Sequence, residues 1–332
     1  MRERASTPAP LPAVALGPPA KPKAPARPHA ADLARAAHYA RAEKAGATRR
    51  AYAIDFRIFQ AWCQGHGAVA LPASADTLAA FLAAEADRNM RPSTLGRRVA
   101  AIAYMHKLSG LPVPSDAEMV RLTLRGIRRV LGTAACKKAP ATAEHVIAMA
   151  PSPDGSLSAL RDRAVILLGF AGAFRRSELV ALDWEDIEQV AEGLRITLRR
   201  GKTDQEAKGV TVAVLRGAIA CPVAALLTWS EVATISTGPV FRPIGKGGKL
   251  KTTRLTDRSV ANIVKAHATR IGLEAANFSG HSLRAGFLTS AAKSGASLLK
   301  MRDVSRHRSL DTLSGYVRDA EVFRNHAGEG LL

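Results

Sequence analysis

Cysteine is scarce in this 332-residue chain: Cys63, Cys136 and Cys221 are odd in number, far apart and without a Cys-x-x-Cys pair. Neither a disulfide framework nor a zinc knuckle is supported, and the thiols read as reduced. Apolar runs are short as well. None approaches the ~18 residues of a membrane span, and the N-terminus lacks the apolar core of a signal peptide. The expectation is a soluble, cytoplasmic protein with no membrane partner. Acidic residues are the third shortage: 28 Asp and Glu stand against 48 Lys and Arg, a formal net charge of +20 and a sequence pI near 10.6. That excess is the footprint of a protein that sits on a polyanion; an Ala- and Arg-rich genome is the plainer alternative. Nor does any cluster of carboxylates suggest the Mg²⁺ site of metal-dependent nucleases and transposases, so the expected cofactor list is empty.

The length and a hydrophobic content of 47% are enough for two domains, each with its own core. Residues 1–30 carry eight of the chain's eighteen prolines among alanines and a few basic residues, which reads as a disordered basic tail. From 31 to 131 the pattern is helical. Thr48 can cap a helix with Tyr52, Phe56, Phe59 and Cys63 on one face, stopped by Gly65 and Gly67. Asp76 opens a second helix, Ser93 a third with Leu95, Val99, Ile102 and His106 on one stripe, and Asp116 a fourth. In the fourth, Val120, Leu124, Ile127 and Leu131 form the apolar stripe, with Arg121, Arg125 and Arg128 about 100° round the axis and Arg129 beside them. No Glu interrupts 119–143. Guanidiniums aligned in this way suit backbone phosphates.

Residues 132–140, GTAACKKAP, read as a linker, and 141–332 as a second domain. There Leu194, Ile196 and Leu198 alternate with polar residues, a Gly-Lys-Thr-Asp turn follows, and Val210, Val212 and Val214 alternate again: a β-hairpin with Lys202 near its tip. Lys246, Lys249, Lys251, Arg254 and Arg258 fill a Gly-rich stretch with almost no acid, read as a DNA-backbone loop or else an exposed flexible one.

The densest stretch is Gly280–Tyr316. His281 and Arg284 sit three apart, on one face of a helix. His307 follows 26 positions after His281, and Tyr316 nine after that, the only tyrosine beyond Tyr104. Upstream, Arg175-Arg176-Ser177-Glu178-Leu179 precedes Ala-Leu-Asp-Trp-Glu-Asp-Ile. These boxes resemble those of the tyrosine recombinases, also called the phage integrase family, and segments 61–64 and 106–116 resemble the core-binding domain of its Cre-like members. Four residues depart from it: Ala173 and Phe174 replace the usual Gly and Leu before Arg175, and Ser305-Arg306 replace the usual Leu-Gly before His307. Arg306 could crowd the helix start there or add a phosphate contact.

The resemblance implies a mostly α fold with a small β-sheet in the C-terminal domain, a helical core-binding domain preceding a catalytic one. It implies a site-specific recombinase that cleaves and rejoins DNA through a 3′-phosphotyrosyl intermediate, without metal or ATP. Tyr316 would be the nucleophile, Arg175 and Arg284 the phosphate forks, His307 a further donor, His281 the acceptor of the tyrosine proton and Lys202 the donor to the leaving 5′ oxygen. Glu178 would orient Arg175. Double-stranded DNA is the expected partner, contacted by Arg121, Arg125, Arg128, Arg129, Lys246, Lys249 and Lys251. A homotetramer on two DNA sites, monomeric or dimeric off DNA, is expected, with a nucleoid location in the cytoplasm; whether accessory proteins join it is left open by the sequence. The alternatives are relaxation of DNA in the manner of a type IB topoisomerase, or a non-catalytic DNA-binding regulator on the same scaffold.

Overall fold

The computed structural model describes residues 30–134, 138–199 and 209–321. The proline-rich tail and Lys202 lie outside them. The chain divides into two compact units, Met1–Ala135 and Cys136–Leu332.

The first unit is helical: α1 (Ala30–Ala42), α2 (Gly46–Gly65), α3 (Ala75–Asp87), α4 (Pro92–Leu108) and α5 (Glu118–Leu131). Helix α2 packs on α4, and α3 on α5. Phe56, Phe59, Leu78, Phe81, Leu82, Leu95, Ile102 and Val120 fill the core. The expected periodicity is realised, but the helix starts lie elsewhere. Ser74, not Asp76, caps α3 by accepting from the Thr77 amide. Pro92 opens α4 one residue before Ser93, with its fixed φ suited to a first turn. Thr48 sits inside the first turn of α2, which begins at Gly46. Asp116 ends a short 3-10 turn, and α5 starts at Glu118. Leu131, expected in the apolar stripe, is exposed at the helix end, where Gly132 turns away at φ 71°.

Two polar features tie this unit together. His106 is fully buried: its Nε2 accepts from the Ala73 amide at 2.9 Å, and Nδ1 donates to the Ile102 carbonyl at 2.8 Å. Asp55 on α2 accepts Arg97 of α4 through two bonds of 2.7 and 3.1 Å, while buried Arg98 pairs with Glu85 of α3. Three helices thus share one ion network, each charge compensated by a partner.

The second unit holds α6 (Ala143–Met149), α7 (Leu157–Ala171), α8 (Arg176–Ala181), strands β1 (Ile187–Val190), β2 (Gly193–Leu198) and β3 (Val210–Leu215), then α9 (Pro222–Val232), α10 (Asp257–Arg270), α11 (His281–Lys293), α12 (Leu298–Ser305) and α13 (Leu310–Glu321). The strands form an antiparallel sheet in the order β1-β2-β3, with Leu198 opposite Val210. The expected hairpin is therefore β2 and β3, its register set by Leu194, Ile196 and Leu198 facing the core. Strand β1, four residues long, carries too little alternation to be read from sequence. The near-continuous apolar run of α7 lies at the centre of the core.

Helix α11 is placed by a glycine. A Cβ on Gly286 would come within 1.6 Å of the Ala141 carbonyl oxygen, so only glycine lets the incoming chain lie against the helix. That chain is held there by Ala141 N–H to Ser282 O at 2.9 Å and Ala139 N–H to Asn277 O at 2.8 Å. No helix among the described residues is long and apolar enough to cross a membrane.

Candidate active site

Four segments meet at one end of the second unit: the α7–α8 turn, the start of α11, the α12–α13 turn and α13. Arg175 stands at the N-terminus of α8, in extended backbone. Glu178, three residues on, reaches back with Oε2 to the Arg175 amide at 2.9 Å and with Oε1 to its guanidinium at 2.5 Å. The carboxylate thus satisfies an orphan helix N–H and fixes the arginine head in one act. Burial pulls the Glu178 carboxyl upward, but Arg306 and the Arg175 bonds outweigh it and hold it below the usual carboxylate range.

Arg284 is 1% exposed. Its guanidinium donates to the Ala173 carbonyl at 2.6 Å, to the Ser305 carbonyl, and toward His307 Nδ1 at 3.3 Å. Burial first, then the Arg175 and Arg306 guanidiniums, push it down to about 9, so it keeps its charge at neutral pH. His307 is pushed down to about 4 by burial and then by Arg284 and Arg175. Its ring is therefore neutral, and Nδ1, facing the Arg284 donor and the Ser305 hydroxyl at 2.8 Å, is the acceptor. The ring proton sits on Nε2, a donor.

His281 opens α11 and is exposed, and its imidazole lies within electrostatic reach of His307. Gly280 before it is overlain by the Arg176 stem, which a Cβ there would meet at 2.1 Å. Tyr316 is half-buried on α13 against Leu288, Ala292, Met301 and Leu313, and its phenol acts electrostatically on Arg284. Arg175, Arg284, His281, His307 and Tyr316 are thus brought together from three stretches of chain. Lys202 belongs to the β2–β3 connection, outside the described residues.

The two glycine positions of the family pattern that this chain fills otherwise explain themselves. Ala173 has φ 45° and Arg306 φ 56°, both in the left-handed region that costs a side chain roughly 1–2 kcal/mol. Arg306 neither crowds the helix start nor faces outward. It turns inward, 8% exposed, onto Glu178 Oε2 at 2.9 Å, with Phe174 beneath its guanidinium at 5.3 Å. Ser305 and Arg306 are the site members that residue patterns do not single out. Their replacement of Leu-Gly is the one signal visible in the sequence; the left-handed turn is not.

Elsewhere, Arg121 and Arg125 on α5 both pair with Glu118 of the same helix, at 3.5 and 2.6 Å, an acid just outside the stretch 119–143. Lys246, Lys249 and Lys251 stand exposed on a tight hairpin in which Gly245 N–H bonds Lys249 O at 2.8 Å and Gly247 and Gly248 make the turn. The stretch is an ordered turn, and Arg254 is not part of its basic surface: it bonds the Val180 and Leu182 carbonyls and Asp183. Among the described residues no group of three or more His, Cys, Asp or Glu is placed to hold a metal ion.

The phage integrase family matches residues 141–322. An integrase/recombinase xerD homolog of Selenomonas ruminantium is 40% identical over 290 residues, covering 86% of this chain and 85% of its own. The recombinase cre of Escherichia phage P1 is 23% identical over 285 residues, covering 80% and 82%. In fold, the chain is similar to the Tn1549 transposon integrase in complex with transposon right end DNA, with a TM-score of 0.58 at 14% identity over 89% of this chain and 97% of that one. With more than half of its length matched by the family and a relative 40% identical over 86% of it, the chain belongs to the phage integrase family, the tyrosine recombinases.

Proposed function

We propose that the protein is a site-specific DNA recombinase that breaks and rejoins strands through a phosphotyrosine at Tyr316. The observation that carries this is the charge balance of the site. Three guanidiniums, Arg175, Arg284 and Arg306, gather near one carboxylate, Glu178, which bonds Arg175 and Arg306; Arg175 and Arg306 both weaken the hold of Arg284 on its proton, and Arg175 that of Arg306. A phosphodiester against Arg175 and Arg284 supplies the missing negative charge and relieves that repulsion. The same forks then stabilise the further charge that develops in a pentacoordinate transition state.

His307 Nε2–H donates a third bond to the phosphate. A tyrosine hydroxyl, with an ordinary pKa of about 10, attacks only once its proton is taken up, a role for exposed His281. Lys202 protonates the departing 5′ oxygen. Such proton transfers contribute roughly 10²- to 10⁴-fold each. The phosphotyrosyl bond conserves the energy of the phosphodiester, so a 5′-hydroxyl reseals it without ATP, and the guanidiniums do the work that a metal does elsewhere. Four copies on two duplexes would make the exchange reciprocal.

A pool of random-sequence duplexes, selected for attachment to the protein under denaturing conditions, tests this. The native chain should yield a covalent protein–DNA product and Tyr316→Phe none, although it still binds duplex. Lys202→Ala should attach slowly to the ordinary duplex and at near the native rate when the bridging 5′ oxygen is sulfur, a leaving group that needs no proton. Covalent product from Tyr316→Phe refutes the mechanism. Relaxation of supercoils with no exchange between two selected duplexes would make the protein a topoisomerase instead.

A further inference from the structure

We propose that Arg306 is a positioning residue of the cleavage reaction, joining the turn that carries His307 to the carboxylate that aims Arg175. The inference rests on the assignment of the site given above. A glycine at this position would satisfy the left-handed backbone, φ 56° and ψ 40°, without strain. An arginine there needs compensation, and its contacts supply it. Nη1 donates to the Gly172 carbonyl at 3.1 Å and the Val304 carbonyl at 2.5 Å; Nη2 donates to the Ala173 carbonyl at 3.2 Å and Glu178 Oε2 at 2.9 Å.

These partners decide the role. Val304 and the Arg306 backbone belong to the end of α12 and the turn that follows it, whereas Gly172 and Ala173 belong to the α7–α8 turn and Glu178 to α8. One planar guanidinium therefore bolts the two halves of the clamp together. The Ala173 carbonyl accepts from Arg306 and also from Arg284 at 2.6 Å, and the Glu178 carboxylate is shared between Arg306 and Arg175. Each fork of the clamp thus has one acceptor in common with Arg306. With both Nη groups of Arg306 engaged by protein acceptors and Phe174 against its guanidinium, the residue acts through these partners and not on the phosphate itself. A planar fork holds four acceptors in fixed directions, which an ammonium does not.

The test uses the full chain, a duplex selected for covalent attachment to the native protein, and the variants Arg306→Gly, Arg306→Lys, Glu178→Gln and the Arg306→Gly/Glu178→Gln double. Single-turnover attachment at saturating protein, duplex affinity and thermal melting are measured for each. Because a small misplacement of reacting groups costs on the order of 10²-fold, Arg306→Gly should bind duplex within about threefold of native yet attach roughly 10- to 100-fold more slowly. Arg306→Lys should recover part of that rate, through its remaining charge on Glu178. The double variant should be no slower than the slower single, since both substitutions break one link.

Native attachment rate in Arg306→Gly, whatever its melting temperature, makes the residue merely structural and overturns the proposal. So does a loss confined to affinity, or a double variant whose loss is the product of the singles. If Arg306→Gly fails to fold, Arg306→Lys decides alone: an attachment rate equal to native overturns it. Should the native chain itself attach to no duplex, the assignment of the site falls and this inference with it; native attachment matched by Arg306→Gly sinks only the inference.

Discussion

The guanidinium of Arg284 lies 3.3 Å from Nδ1 of His307, across 23 residues of sequence, with the Ser305 carbonyl and hydroxyl closing the same corner. The arginine makes the histidine an acceptor on one side and therefore a donor on the other. A buried cation and a neutral imidazole are thereby set as a pair.

Replacing Arg284 by lysine keeps the charge and abandons the geometry. A single ammonium cannot meet Ala173 O, Ser305 O and His307 together while leaving donors for a phosphate. The expected outcome is a fall in covalent attachment on the order of 10²-fold or more, with duplex affinity nearly unchanged, because transition-state donors act on rate. Single-turnover assays alongside gel-shift titrations check it, and a native rate would remove Arg284 from the clamp.

His307 also makes stability depend on pH. Its folded pKa of about 4 lies below the ordinary 6.5, so between those values the unfolded chain binds a proton that the folded chain refuses. The stabilisation from a neutral His307 is complete above pH about 6.5 and is lost as pH falls toward 4. Urea midpoints should fall across that window, and His307→Gln should flatten the decline. Glu178, held low, contributes a further loss at more acidic pH, which His307→Gln leaves in place.

Two glycines inside helices should respond to alanine with opposite signs. Gly96 on α4 has nothing within 4 Å of an added Cβ, so Gly96→Ala should stabilise by about 0.4–1 kcal/mol. At Gly286 the Cβ meets the Ala141 backbone, and overpacking of about 1–3 kcal/mol outweighs the helix gain. Melting temperatures should move apart by roughly 2–4 °C for each kcal/mol. Equal shifts would mean that the 138–141 segment does not lie against α11.

Duplex affinity should fall steeply with salt, with a slope of about −0.9 for each phosphate contact, and Arg125→Ala should make it shallower by about one. Glu118 holds Arg125 at 2.6 Å and Arg121 at 3.5 Å, so DNA must compete for both. Glu118→Gln should therefore raise affinity at a given salt concentration. Fluorescence anisotropy over a salt series checks both, and an affinity indifferent to salt would exclude the arginine stripe as a contact.

Residue pattern by itself determines a good part of this protein. Periodicity places Phe56, Phe59 and Cys63 in a core and folds the Leu194–Leu198 and Val210–Val214 alternations into a hairpin, since side-chain direction follows backbone period. The resemblance of the boxes around Arg175–Leu179 and Gly280–Tyr316 to those of the tyrosine recombinases brings out Arg175, Glu178, His281, Arg284, His307 and Tyr316. What the sequence does not determine lies in contacts between residues far apart. Arg254 reads as a member of a basic loop, and only the fold turns it onto Val180, Leu182 and Asp183. Glu118 lies one residue outside a stretch free of glutamate, and only the helix brings its carboxylate onto Arg121 and Arg125. Arg306 reads as a crowded or phosphate-facing cation in place of glycine, and only tertiary structure gives it a left-handed backbone and a carboxylate 128 positions upstream. A residue's own pattern fixes which way its helix or strand faces. Whether its charge meets solvent or an opposite charge depends on what the rest of the chain packs against it.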